Sequence, residues 1–185
     1  MDIKGLKNKW LGVDAEVEET DYAQCGYDYD IRLSAQKIHA LAEIMLAEGF
    51  YIVSLTAVHA KPAIEVVYQF AIAAAQHCRV VARVAVEEDG SVPTISDVYT
   101  GANWHEREVR DFYGVVFSGH PNLEPLILAE EDVDLKPLLK EEKKLKDLTD
   151  LRRKAPEPEE DKAAPVEKKA PAAAEKKAAK PQASN

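Results

Sequence analysis

Between residues 103 and 123 the chain reads NWHEREVRDFYGVVFSGHPNL. Glu106, Glu108 and Asp111 bring three carboxylates close together, with Arg107 and Arg110 between them. Trp104, Phe112, Tyr113 and Phe117 surround the run. Such residues can ligate a metal, exchange protons with a substrate, brace a helix, or register the chain against a partner. A zinc site would continue His105-Glu106 as HExxH, with the second His one helical turn on. That position is Val109, and no two of the histidines at 39, 59, 77, 105 and 120 have ligand spacing on one helix face. Acid–base catalysis needs carboxylates whose surroundings drive their pKa values apart. No nucleophile motif and no phosphate-cradling glycine pattern accompanies these three. No catalytic, cofactor-binding or metal-ligating residue is assigned.

Two readings account better for the pattern. Glu106 with Arg110 and Arg107 with Asp111 are i,i+4 pairs, worth about 0.2–0.5 kcal/mol each on a helix. That explains the spacing but not the aromatic residues. Charges interleaved with aromatics, followed by Gly119-His120-Pro121, suit a surface fitted to a partner.

The elements that must position this stretch are legible from periodicity. Residues 27–34 (YDYDIRLS) alternate as a strand, with Tyr27, Tyr29, Ile31 and Leu33 on one face. Ser34 and Gly49 bracket a helix whose Ile38, Leu41, Ala42 and Met45 form one apolar stripe. Three strand-like runs follow, at 51–59, 64–72 and 77–86, with a turn at Lys61-Pro62. Short connections make these three antiparallel neighbours. A second helix leads through the charged stretch to Gly114, with Ser96 or Asp97 as its cap and Val98, Ala102, Val109 and Phe112 as its buried contacts. A loop with one apolar segment follows. The fold class is therefore α+β: a small, mostly antiparallel sheet with a helix on one face, then a second helix with a docking loop.

The flanks divide the sequence further. Residues 1–26 read as an N-terminal extension, with a short helix at Ile3–Leu11 and an acidic linker; 27–136 form the domain; 137–151 form a charged helical extension. Residues 152–185 hold ten Ala and five Pro and no aromatic residue, a composition that predicts a disordered tail. Net charge is −9 overall. The tail carries about +3 by count and the rest about −12, which argues against a nucleic-acid partner. Cys25 and Cys78 show no CxxC spacing, and the most apolar stretch, 63–75, is too short to span a bilayer. Direct membrane insertion is not expected.

From Ala102 to Leu123 the residues Asn103-Trp104, Glu106-Arg107-Glu108-Val109, Asp111, Gly114, Phe117, Gly119-His120-Pro121 and Leu123 closely resemble the signature of the 30 kDa subunit family of respiratory complex I. Relatives of that subunit occur in membrane-bound energy-converting hydrogenases. The resemblance implies a subunit that holds no cofactor and has no activity of its own. It implies docking on a large subunit (the 49 kDa-like or hydrogenase large subunit, which bears a quinone or nickel-iron site) beside a small iron–sulfur subunit, with membrane subunits in the same complex. It implies a cytoplasmic, peripheral place on the inner face of the membrane. Carried over residue by residue, the subunit interface is Trp104, Glu106, Arg107, Glu108, Asp111, Gly114, Phe117, His120, Pro121 and Leu123.

Complex I members usually continue Gly-His-Pro-x-Leu with two arginines, then an acidic-aromatic stretch and a second Gly-His-Pro box. Here Glu124-Pro125 follow, and EEDVDLKPLLKEE stands in place of the box. His59 stands where the family often has Asp. These departures point to the hydrogenase-type relatives. NADH-quinone oxidoreductase is the alternative, and a free-standing adaptor is the alternative of another class.

Overall fold

The computed structural model describes residues 3–73 and 77–148. The stretch expected to be a disordered tail, 152–185, lies outside the described residues. The fold opens with helix α1 (Ile3–Leu11), strand β1 (Glu16–Glu19), the single-turn helix α2 (Tyr22–Cys25) and strand β2 (Tyr29–Leu33). A 3-10 turn at Ala35–Lys37 leads into helix α3 (Ile38–Ala47). Strands β3 (Tyr51–His59), β4 (Ile64–Ala73) and β5 (His77–Ala85) follow, then a short strand β6 (Ser91–Pro93), helix α4 (Ala102–Tyr113) and strand β7 (Val116–Ser118).

The main sheet has the order β1-β2-β5-β4-β3, and β6 pairs with β7 in a separate ladder. β3, β4 and β5 are antiparallel neighbours, as their short connections dictate. β2 lies parallel to β5 with Ile31 opposite Ala82, and the crossover through α3 makes that pairing possible. One face of the sheet supplies Ile31, Leu33, Val66, Tyr68, Phe70, Val80, Ala82 and Val84 to the core, and Ile38, Leu41, Ala42 and Met45 of α3 pack into it, as their spacing predicts. Trp10 of α1 is fully buried, edge-on to Tyr29 at 5.3 Å.

Three local expectations change. The acidic stretch after α1 is not a linker. In EVEE, Val17 packs on the core while the glutamates face out, and Val17 pairs antiparallel with Ile31. Val116–Ser118, expected within a loop, forms β7 beside β6, which buries Phe117. The expected charged helical extension shows, through Asp147, a 3-10 turn at Glu142–Lys144 and an isolated bridge from Asp147 to Lys61. The backbone there is pulled out along the β3–β4 turn: Lys61 N–H donates to Lys146 O at 3.0 Å and Leu148 N–H to Lys61 O at 3.1 Å. Backbone pairing with the turn between β3 and β4 outweighs the weak helix preference of so short a segment.

Candidate functional site

α4 carries the charged stretch. Ala102 and Val109 turn to the core, and Gly114 ends the helix at φ 78°, its N–H donating to Arg110 O at 2.9 Å. Neither Ser96 nor Asp97 caps it. A turn comes first, because Val98 N–H and Tyr99 N–H donate to Ile95 O, and α4 begins after Gly101. Ser96 hydrogen-bonds Thr94, and Asp97 meets His39 Nε2 at 2.9 Å. The backbone at Gly114 is left-handed, a conformation that strains a residue with a Cβ, and that Cβ would lie 3.1 Å from Lys136 Cε. Gly114→Ala is expected to cost about 1 kcal/mol, read as a lower urea midpoint at unchanged m.

The i,i+4 ion pairs expected along α4 do not form. Glu106, Arg107 and Asp111 each take a partner outside the helix instead. Glu106, fully buried, accepts Ile95 N–H at 2.8 Å and the Thr94 hydroxyl, tying the segment after β6 to α4. Burial lifts its carboxyl to about 7, against the lowering effect of the Ile95 and Thr94 hydrogen bonds. Arg107 donates to the carbonyls of Glu124 and Pro125 at 2.9 and 2.8 Å. Asp111, also fully buried, gathers the N–H groups of Leu126, Ile127 and Leu128 on one oxygen, at 2.8, 2.8 and 3.2 Å. Burial pushes the Asp111 carboxyl up, but those three N–H groups and Arg110 outweigh it and hold it below the usual range. The reason is energetic: a surface ion pair is worth a few tenths of a kcal/mol, whereas a buried N–H without an acceptor costs about 1–3 kcal/mol.

The result is a strap, residues 124–139, bound along α4. Its far end is held by Lys136 Nζ, which donates to Arg110 O at 3.5 Å, and by Leu138 N–H, which donates to Phe112 O at 3.2 Å. The strap exposes Ile127, Leu135, Leu138 and Leu139. Nothing in the sequence pattern marks these four as a surface. Leu135, Leu138 and Leu139 even have the i, i+3, i+4 spacing of a helix face, yet no helix forms there, and only the clamps on α4 reveal the arrangement.

The ten residues carried over from the resemblance sort into two groups. Glu106, Asp111 and Phe117 are enclosed within the fold, and so is the His120 side chain, whose Nε2 lies 3.2 Å from Asn103 O. Asn122 N–H donates to His120 Nδ1 at 3.1 Å, so the ring proton sits on Nε2. These side chains shape the surface from beneath, as does Gly114 by its backbone. Trp104 is 67% exposed. Pro121 is exposed, Arg107 and Glu108 are half-buried, and Leu123 packs partly against the core. Among the described residues, no helix is long and apolar enough to cross a membrane.

The family model for the "Respiratory-chain NADH dehydrogenase, 30 Kd subunit" matches residues 31–147. It therefore runs past residue 136 into the strap's continuation. The sequence is 46% identical over 63 residues to a subunit of the NADH-quinone oxidoreductase of Ruegeria pomeroyi, covering 34% of this protein and 31% of that one. It is 44% identical over 72 residues to the corresponding subunit of Roseiflexus castenholzii, covering 38% and 41%. The matches thus span well under half the length of these relatives. Among solved structures, a trypsin-resistant fragment (1-134) of Nqo5 shares the fold, with TM-score 0.55 and 24% identity over 66% of this protein and 100% of that fragment. A component of the membrane-bound sulfane sulfur reductase, an archaeal respiratory membrane complex, aligns with TM-score 0.62 and 26% identity over 74% of this protein and 83% of that component. Since the family match spans more than half of the 185 residues, the chain belongs to the 30 kDa subunit family of respiratory-chain NADH dehydrogenase.

Proposed function

We propose that the protein is an accessory subunit, without a cofactor of its own, in the peripheral arm of a membrane-associated respiratory oxidoreductase. It docks through the exposed side of α4 and the strap on a larger cofactor-bearing subunit, next to a small iron–sulfur subunit, on the inner face of the membrane. The observation that carries this reading is the strap. Two clamps on its buried side, Arg107 and Asp111, hold a segment that presents Ile127, Leu135, Leu138 and Leu139 to the outside, near a helix that presents Trp104. Exposed apolar and aromatic side chains on a rigid support suit a permanent partner.

The relatives favour NADH-quinone oxidoreductase as the parent complex. A second reading, an energy-converting hydrogenase-type complex, draws on two observations: Glu124-Pro125 replace the usual arginines, and the similar folds include one from an archaeal respiratory complex of another type. Purified native assembly separates them. NADH-driven quinone reduction supports the first, and hydrogen production from a reduced ferredoxin supports the second.

Docking itself is tested by Trp104→Glu in the full-length protein. Trp104 supports little of the monomer, so its stability is expected to stay within about 0.5 kcal/mol. Recovery of the large partner with the tagged protein is expected to fall roughly tenfold or more. Undiminished recovery would remove the α4 face from the interface. Arg107→Glu is a less clean test than its sequence position suggests, because it also releases the Glu124 and Pro125 carbonyls and loosens the strap.

A further inference from the structure

A chain of polar groups is sealed from solvent beneath α4. The Ser96 and Thr94 hydroxyls share a bond of 2.7 Å, and Thr94 meets Glu106 Oε2. His120 Nε2 lies 3.9 Å from that same oxygen. The Glu106 and His120 side chains are both 0% exposed. A charge in such a place is costly unless donors surround it. His120 has a choice of acceptor for its one donor. Nδ1 accepts the Asn122 N–H at 3.1 Å, which leaves the proton on Nε2. Asn103 O, at 3.2 Å, takes that proton in this structure, and Glu106 Oε2 is the alternative.

The protonation state of Glu106 decides between the two. Ile95 N–H holds Oε1 in either state. A protonated Oε2 donates to Thr94, which in turn donates to Ser96, and the carboxyl has no need of His120. An ionised Oε2 accepts from Thr94 and attracts a further donor, because a charge-assisted hydrogen bond is roughly twice as strong as a neutral one. The ring has to move about 1 Å to reach the usual length of such a bond. The loop that carries it packs directly on the same chain of groups: a Cβ at Gly119 would lie 3.4 Å from Thr94 Cγ2. Other groups face this carboxyl without supplying a cation. Asp97, ahead of α4, opposes its ionisation and is paired with His39 of α3 at 2.9 Å. The Tyr68 hydroxyl of β4 is buried with no hydrogen-bond partner among the described residues. Arg110, one turn along α4, lies 3.4 Å from Asp111.

We infer that Glu106 and His120 form a proton-controlled latch beneath α4: loss of the Glu106 proton draws the His120 N–H from the Asn103 carbonyl to the carboxylate. The exchange frees the carbonyl of the residue before Trp104 and draws the Gly119-His120-Pro121 corner toward α4. It is intramolecular and does not depend on the docking proposal.

The test uses the full-length protein, with 15N NMR of the His120 ring and 13C NMR of the Glu106 carboxyl between about pH 5.5 and 8.5. Both signals are expected to move together with a midpoint of about 7, the Nε2 proton shifting downfield as it meets the carboxylate. Glu106→Gln should abolish the ring's movement, because the amide does not titrate. His120→Phe keeps a ring but removes the donor, and should raise the Glu106 midpoint by about one pH unit. Crystals grown at the high end of the range should show the Nε2–Oε2 separation shortened from 3.9 Å to about 2.8 Å. A ring signal that stays flat would overturn the proposal, as would one that moves equally in Glu106→Gln. So would a proton gained at Nδ1 over the same window, which would make the ring itself the titrating group, or an unmoved Glu106 midpoint in His120→Phe.

Discussion

Asp111→Ala is expected to lower the stability of the protein by about 3–5 kcal/mol, the scale for removing one member of a buried charged network. The carboxylate is the common acceptor for three successive backbone N–H groups, those of Leu126, Ile127 and Leu128. Alanine leaves all three without it, and leaves Arg110 without the oxygen 3.4 Å away. For a protein of this size the loss should appear as a melting temperature lower by about 10 °C. Hydrogen exchange localises it: the amides of 126–128 should lose protection first, and the sheet amides of β4 and β5 later. Asp111→Asn keeps one acceptor oxygen and should recover part of the loss. The acid dependence follows from the same bonds. The folded Asp111 carboxyl is held below its ordinary value, so its contribution is present above pH of about 4 and is lost as pH falls through the lowered folded value. Strap amides that stay protected in Asp111→Ala would show that the carboxylate is not the clamp.

Glu106 has the opposite sign. Burial raises its carboxyl from 4.5 to about 7 in the folded state. Its contribution to stability is therefore fully present below pH of about 4.5 and is lost as pH rises to about 7. The fall across that window is of order 3 kcal/mol. Glu106→Gln can still accept from Ile95 N–H and donate to the Thr94 oxygen, and it does not titrate. That variant should show no such slope and should be at least as stable as the parent at pH 8. Glu106→Ala leaves Ile95 N–H and Thr94 unpaired beside a cavity and should cost about 2–4 kcal/mol at pH 5. Asp97, Tyr68 and His120 also face this carboxyl electrostatically or within 4 Å, so the comparison with Gln, rather than the raw slope, isolates it. A parent and Gln variant with parallel pH profiles would refute the assignment.

Both effects bear on the docking proposal. The α4 face needs a helix held at both ends. Glu106 secures the segment entering α4, and Asp111 secures the strap leaving it. Losing either should reduce assembly together with stability, whereas Trp104→Glu should reduce assembly alone. That contrast separates residues that build the surface from residues that present it.

The elements of the domain were written in local pattern. Alternation in 27–34, the stripe Ile38-Leu41-Ala42-Met45, three β-branched runs and Gly114 at a helix end each follow from residue period and backbone preference, which act over a few positions. The same holds for the signature that identifies the family, a contiguous run of residues. What the charged side chains do was not written there. Helix spacing pairs Glu106 with Arg110 and Arg107 with Asp111. Yet Glu106, Arg107 and Asp111 are each drawn to backbone groups brought close only by folding, 11 to 18 positions away in the sequence. Buried N–H and C=O groups must find partners, and their demand outweighs a surface ion pair. The exposed apolar strap depends on tertiary placement for the same reason. A residue's type and spacing say that it prefers burial; only the packed fold decides which apolar side chains the core has no room to cover.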